Sequence, residues 1–234
     1  RDQSKVPLIN GAIDAIMAYK LLQSHSRSNG KFGITGHSRG GNNSLYVADV
    51  KFTSLFLEGT RGFDAILPEA AECKLAGFFD KPELTSNSKL LYVHGAADDY
   101  TLPNHCEDYV KKIKSEPGKV EIDLKKGWYH GFHYSQKPKR YQAMTVHNCP
   151  AFFVDNDGFV VGNEWPDMVL TKHKLFPSMD AFYEAAQVEP KKLWKKTFKI
   201  LKKEKCLKRG VTIGGGHMDE YMPQFINFFK ENLL

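Results

Sequence analysis

Apolar and polar positions along the chain change their period several times, and those changes outline the elements. Over residues 9–25, Ile13, Ile16, Met17, Leu21 and Leu22 recur at helical spacing and predict an amphipathic helix. Asn29-Gly30 breaks it, and residues 31–35 (KFGIT) predict a short buried strand. Residues 36–41 form a glycine-bounded turn, after which residues 42–50 continue as helix. Apolar runs at 63–68 (FDAILP) and 89–94 (KLLYVH) predict two more strands, and the alternating 119–124 (KVEIDL) a fourth nearer a sheet edge. Between the last two, Tyr109, Val110 and Ile113 form the stripe of a helix over 107–114. Strands and helices alternating at this spacing imply an α/β fold with a mostly parallel sheet and flanking helices.

Beyond His133 this rhythm stops. Residues 134–185 carry Pro138, Pro150, Pro166 and Pro177 among Asn and Gly, with one short apolar run at 151–154. The expectation is one domain over 1–234, interrupted at 134–210 by an irregular, lid-like insertion that ends in a basic helix. Gly214-Gly215-Gly216 follows, then a closing helix over 219–234 carrying Tyr221, Phe225, Phe228 and Phe229.

Composition narrows the class without naming a function. With 41% hydrophobic and 26% charged residues in 234, the chain can bury a sizeable core, which excludes disorder and coiled coil as the dominant state. No run of about 18 apolar residues suits a membrane span, and RDQSKVPLIN has no apolar stretch of the signal-peptide kind. The net charge of +6 is local: Lys191–Arg209 holds ten Lys or Arg against Glu204 alone. Trp194, Phe198 and Leu201 give that window an apolar stripe, so it reads as a surface helix with a weak polyanion contact as its sharper use. No nucleic-acid motif accompanies it.

Cys73, Cys106, Cys149 and Cys206 form no CxxC pair and suggest no metal site. Four buried thiols in a cytoplasmic protein, or two disulfides in a periplasmic or secreted one, both satisfy the count. Cys73 and Cys106 follow neighbouring strand ends and could pair, which would leave Cys149 with Cys206.

The chemistry centres on Gly36-His37-Ser38-Arg39-Gly40, a G-x-S-x-G directly after a strand and before a helix. Such a turn projects the serine hydroxyl at the C-terminal edge of the sheet. It also puts the Arg39 backbone N–H at a helix N-terminus, where it can donate to an oxyanion. A serine nucleophile needs a base and an orienting acid. Two later strand-end loops supply them in order: Gly95-Ala96-Ala97-Asp98-Asp99-Tyr100-Thr101 and Lys126-Gly127-Trp128-Tyr129-His130-Gly131-Phe132. Three loops after parallel strands meet on one edge, where open α/β sheets bind ligands.

From about Asp14 to Phe132, on GHSRGG, FDAILPEAAEC, GAADDYT and YHGF, the chain resembles the dienelactone hydrolase family of α/β-hydrolases. The resemblance implies Ser38 as nucleophile, Asp98 as acid with Asp99 as the fallback, and His130 as base. It also implies ester or lactone hydrolysis through an acyl-enzyme, with no metal and no organic cofactor. A serine peptidase or acyltransferase with the same triad, or a binding module that keeps the fold, are the alternatives.

A full fold of this family has strands before the helix that precedes the serine, with a loop supplying a second oxyanion N–H. The chain as given starts at Arg1 without them, so an open sheet edge beside KFGIT is expected.

Lesser candidates are His37 as a pocket wall or packing residue, and His217 as a rival base that follows no clear strand. The Gly214–Gly216 run lacks a phosphate-loop pattern. Asp155-Asn156-Asp157-Gly158 reads as a turn rather than a calcium loop.

Overall fold

A computed structural model describes residues 7–234; the segment 1–6, on which part of the reading of the chain's start falls, lies outside the described residues. Helix α1 (Leu8–Gln23) leads into β1 (Gly33–His37), α2 (Arg39–Ala48) and the short α3 (Val50–Thr53). Then come β2 (Ala65–Glu69), β3 (Lys89–Gly95), α4 (Pro103–Val110) and β4 (Val120–Lys125). These four strands form one sheet in the order β1-β2-β3-β4, every neighbouring pair parallel. The expected α/β class with a parallel sheet therefore stands, each strand falling within one or two residues of its apolar run.

Strand alternation sorts the core into two layers. Ile66, Leu90 and Tyr92 face α1, α2 and α4 in one cluster, while Ala65, Leu67, Leu91 and Val93 face the closing helix α8 (Met218–Leu233) in another. β2 is buried along its whole length, as a central strand must be, whereas Gly33 and Thr35 of the outer strand β1 are exposed.

The helical stripes turn relative to the sequence expectation. In α1 the buried residues are Ala12, Ile16 and Tyr19, while Met17, Leu21 and Leu22 lie in solvent. The reason is Tyr19, whose ring packs on Phe32 and Phe63, each 5.0 Å away, and rotates the helix onto that side.

The region 134–210 holds more order than expected. Strand β5 (Lys139–Thr145) pairs antiparallel with β6 (Lys208–Ile213), which falls where the sequence reading saw the basic helix's tail, so Gly214 and His217 do follow a strand. Between them lie a helical turn, α5 (Glu164–Pro166), a π-helical stretch at Asp167–Lys172, then α6 (Met179–Val188) and α7 (Pro190–Lys203). They enclose a third cluster built on Trp165, Met168, Val169, Phe182, Ile200 and Leu201. Helix α7 buries Thr197, Ile200 and Leu201 and leaves Trp194 in solvent beside the lysines, a correction to the expected Trp194-Phe198-Leu201 stripe.

All four cysteines are bridged, Cys73 to Cys106 and Cys149 to Cys206. The first ties the loop after β2 to α4; the second closes the third cluster. A bridge across 57 residues removes loop entropy from the unfolded chain. Replacing Cys149 and Cys206 together by Ala should therefore lower the unfolding free energy by about 2–4 kcal/mol, measured by urea denaturation. A change below about 0.5 kcal/mol would mean that the bridge leaves the unfolded ensemble unconstrained.

Candidate active site

Ser38 sits between β1 and α2 with φ 57° and ψ −113°, a left-handed conformation costly for a non-glycine residue. Its N–H donates to the Glu69 carbonyl at the end of β2 (2.8 Å), and its carbonyl accepts from Asn42 N–H in α2 (3.0 Å). Backbone crowding dictates two of the surrounding glycines. A Cβ on Gly36 would lie 2.4 Å from the Gly40 carbonyl carbon, and one on Gly41 would lie 2.4 Å from the Glu69 carbonyl oxygen. Gly40, the second glycine of the motif, has open space where a Cβ would stand. The tight approach thus runs from Gly36 onto the Gly40 backbone and from Gly41 onto β2.

Asp98 and His130 meet in the interior. Asp98 Oδ2 lies 2.8 Å from His130 Nδ1, and both residues are 3% exposed. The carboxylate accepts on both oxygens. Oδ1 takes the N–H groups of Tyr100 (2.8 Å) and Thr101 (3.0 Å), and Oδ2 also faces His94 Nε2 and Thr101 Oγ1, each at 3.0 Å. Burial opposes charge on Asp98, but hydrogen bonds from His130 and then His94 outweigh it and hold the carboxyl well below the usual carboxylate range. With Asp98 as acceptor, His130 Nδ1 carries the hydrogen and Nε2 is left as the basic nitrogen.

His37 joins the serine turn to the histidine loop. Its Nε2 accepts the Gly131 N–H (3.1 Å), and its ring stands 4.6 Å from that of His130. Burial, then the neighbouring His130 and His133, push its pKa down to about 2, so it stays uncharged beside His130. The Ser38 hydroxyl makes no hydrogen bond to His130 among the described residues. Arg39 opens α2, with its guanidinium on the Pro7 carbonyl at 2.6 Å.

Asp99, the fallback acid, turns the other way. Its carboxylate takes Arg140 Nη1 of β5 and the Thr212 N–H of β6, each at 2.6 Å. His217 stacks on Trp128 (4.6 Å) and pairs with Glu220 (3.5 Å), away from Asp98. The Gly214–Gly216 backbone bonds to the histidine loop: Gly214 N–H to His130 O at 2.7 Å and Gly216 N–H to Tyr134 O at 2.7 Å. Asp155 closes a turn by accepting from the Asp157 and Phe159 N–H groups.

Sequence reasoning missed His94, fully buried at the end of β3. The available signal was a histidine, four residues before the acid, ending an otherwise apolar strand.

A serine stands on a sharp strand-to-helix turn, with a carboxylate and a histidine on the loops after β3 and β4 of a parallel sheet, an arrangement like that of α/β hydrolases. No protein-family model matches this chain, and no curated protein does. Solved structures similar to it include MGS-M1, an α/β hydrolase enzyme from a Medee basin deep-sea metagenome library (21% identity, TM-score 0.41, covering 54% of this chain and 52% of that one). An α-β serine hydrolase homologue from Coxiella burnetii matches at 19% identity and TM-score 0.38, covering 53% of each chain. Esterase 2 of Thermogutta terrifontis, phosphorylated by paraoxon, matches at 18% identity and TM-score 0.43, covering 55% of this chain and 56% of that one. The chain spans about half the length of these structures.

Two outcomes follow from the geometry. Gly36→Ala and Gly41→Ala should each cost more than about 2 kcal/mol, because the obstructing atoms are backbone, whereas Gly40→Ala should be neutral or up to about 1 kcal/mol stabilising. Urea denaturation of the three variants checks this; equal losses for all three would overturn it. Asp98 has a depressed folded pKa, so its stabilisation is present above the unfolded carboxyl value, about 3.9, and fades as pH falls through the folded value. Asp98→Asn should therefore destabilise the chain more at pH 7 than near pH 3, read from urea midpoints at both.

Proposed function

We propose that the chain is a serine hydrolase acting on a carboxylic ester or lactone, with Ser38 as nucleophile, His130 as base and Asp98 as orienting acid. The observation that carries this reading is the buried 2.8 Å Asp98–His130 contact, linked through His37 to a serine held at positive φ. Asp98 fixes the tautomer that leaves His130 Nε2 to take the hydroxyl proton of Ser38 as its oxygen attacks the carbonyl. The Arg39 N–H, at the N-terminus of α2, donates to the developing oxyanion. His130 then returns the proton to the leaving alcohol, and a water deprotonated by the same nitrogen releases the acid and frees Ser38. Because His37 stays uncharged, it does not oppose the imidazolium that forms next to it.

The finer likeness to dienelactone hydrolases rests on GHSRGG, GAADDYT and YHGF and belongs to this proposal. So does the division of the chain into one hydrolase domain with an insertion at 134–210. The two disulfides support an oxidising compartment, periplasmic or extracellular.

A fluorophosphonate should label Ser38, with the adduct lost in Ser38→Ala, and p-nitrophenyl esters should be turned over in preference to peptide anilides. Asp98→Asn should lower kcat by about four orders of magnitude, while Asp99→Asn should stay within the wild-type order. No adduct on the wild-type chain, or an adduct that survives Ser38→Ala, would sink the reading. Predominant anilide cleavage would reassign it to a peptidase.

A further inference from the structure

Asp98 is a buried carboxylate that, among the described residues, pairs with no lysine or arginine; its ion-pair partners are two imidazoles. One belongs to His130. The other, His94, is absent from the triad and is fully buried. Its Nε2 stands 3.0 Å from Asp98 Oδ2 and 2.9 Å from the Thr101 carbonyl oxygen. Both neighbours accept, so Nε2 carries the hydrogen and donates to them. Its Nδ1 then accepts, and the Tyr92 hydroxyl lies 2.5 Å from it. Tyr92 and His94 are two apart on β3 and so share one face of the sheet, which brings ring to ring without any special turn. Burial holds the Tyr92 phenol far above its ordinary pKa, and it remains a donor throughout the working range.

We infer that His94 is a positioning residue for the base: held by Tyr92, it donates to Asp98 Oδ2 and so fixes the carboxylate oxygen that orients His130. This rests on the proposed triad. The same oxygen serves both imidazoles, so each bond restricts the other. His94 approaches from the strand and His130 from the loop after β4, with Thr101 Oγ1 3.2 Å from His130 Nδ1. A carboxylate free to rotate about its χ2 would swing Oδ2 away from His130; the donation from a rigid strand residue removes that freedom.

It also shares the negative charge. With His94 present, part of the carboxylate's hydrogen-bonding capacity goes to the strand. Without it, the carboxylate's hydrogen-bonding capacity falls more fully on His130 and the loop donors. The groups facing this pair are Tyr92 and His94 from β3, Thr101 from the acid loop, His37 from the serine turn, and Tyr100, whose ring stands 4.8 Å from that of His130.

The test compares His94→Leu, His94→Gln and Tyr92→Phe in the full chain. kcat and KM for a p-nitrophenyl ester are measured across pH, and the low-field proton resonance of His130 Nδ1–H is followed by NMR. His94→Leu should lower kcat about 10- to 100-fold with KM nearly unchanged. The pH profile of kcat/KM should change, and the Nδ1–H resonance should shift or broaden. His94→Gln, whose amide N–H can still donate to Asp98, should recover most of the rate. Tyr92→Phe, which keeps the ring's volume, should move every readout the same way by less, and it reports even where His94→Leu fails to fold.

Unchanged kcat, pH profile and resonance in folded His94→Leu, or in Tyr92→Phe and His94→Gln alike, would reduce His94 to core packing. If the wild-type chain turns over no ester, the triad reading falls, and the NMR comparison still decides whether His94 holds the Asp98–His130 pair.

Discussion

The buried carboxylate of Asp98 organises the site and the elements around it. Taking the Asp98 carboxylate out of water would be costly unless its lone pairs found donors, and with no ion-pairing lysine or arginine among the described residues, donors come from several elements. They come from β3 through His94, from the acid loop through the Tyr100 and Thr101 N–H groups, and from the loop after β4 through His130. Each requirement fixes geometry elsewhere. β3 must be in register with β4 for the two imidazoles to reach one oxygen, and the pairing His94↔Leu124 and Gly95↔Lys125 sets that register. Thr101 must also sit close to the end of β2, and its hydroxyl lies 3.1 Å from the Ala70 carbonyl oxygen. The Cys73–Cys106 bridge closes the same corner from the other side.

Most of the scaffold was legible because it depends on local pattern. The four strand runs, their order, and the helix–glycine punctuation between them express burial and backbone freedom, which a sequence carries residue by residue. The serine turn was legible for the same reason, although its glycines divide differently from the motif: the crowding falls on Gly36 and Gly41, while Gly40 has room. What sequence could not separate were features decided by side-chain direction at long range. Asp98 and Asp99 are adjacent and chemically alike; only the fold sends one to His130 and the other to Arg140. His94 ends an apolar strand and looks like core until Asp98 folds back onto it. The stripes of α1 and α7 turned because Tyr19 and Ile200 found better-packed surroundings than the leucines and Trp194 that periodicity put forward. β6 was hidden by the lysines that lead into it, since its pairing with β5 depends on a partner more than 60 residues away.

The neighbouring acids show how the β5–β6 region is coupled to the site. Asp98 faces inward and holds the imidazoles, while Asp99, the next residue, binds Arg140 of β5 and Thr212 of β6. The β5–β6 pair then continues into the Gly214–Gly216 segment, whose N–H groups hold the carbonyls of His130 and Tyr134. Acid loop and histidine loop are thus braced by one antiparallel pair from outside as well as by the parallel sheet from inside. Thr145 adds a further tie, donating to the Tyr100 carbonyl at 2.8 Å.

That bracing limits how the insertion can move. Displacing β5–β6 as a body would break the Asp99 bonds and pull on the peptide that joins Asp99 to Asp98, disturbing a carboxylate whose donors tolerate little rotation. The same displacement would strip the His130 carbonyl of its Gly214 partner. The segment beyond Thr145 has ties of its own: Phe152 and Val154 bond to the backbone of Lys74, Gly77, Phe78 and Asp80, while α5, α6 and α7 carry a separate core that Cys149–Cys206 keeps closed. The fold separates two duties in this way: β5 and β6 belong mechanically to the site, and the helices they carry pack on a core of their own.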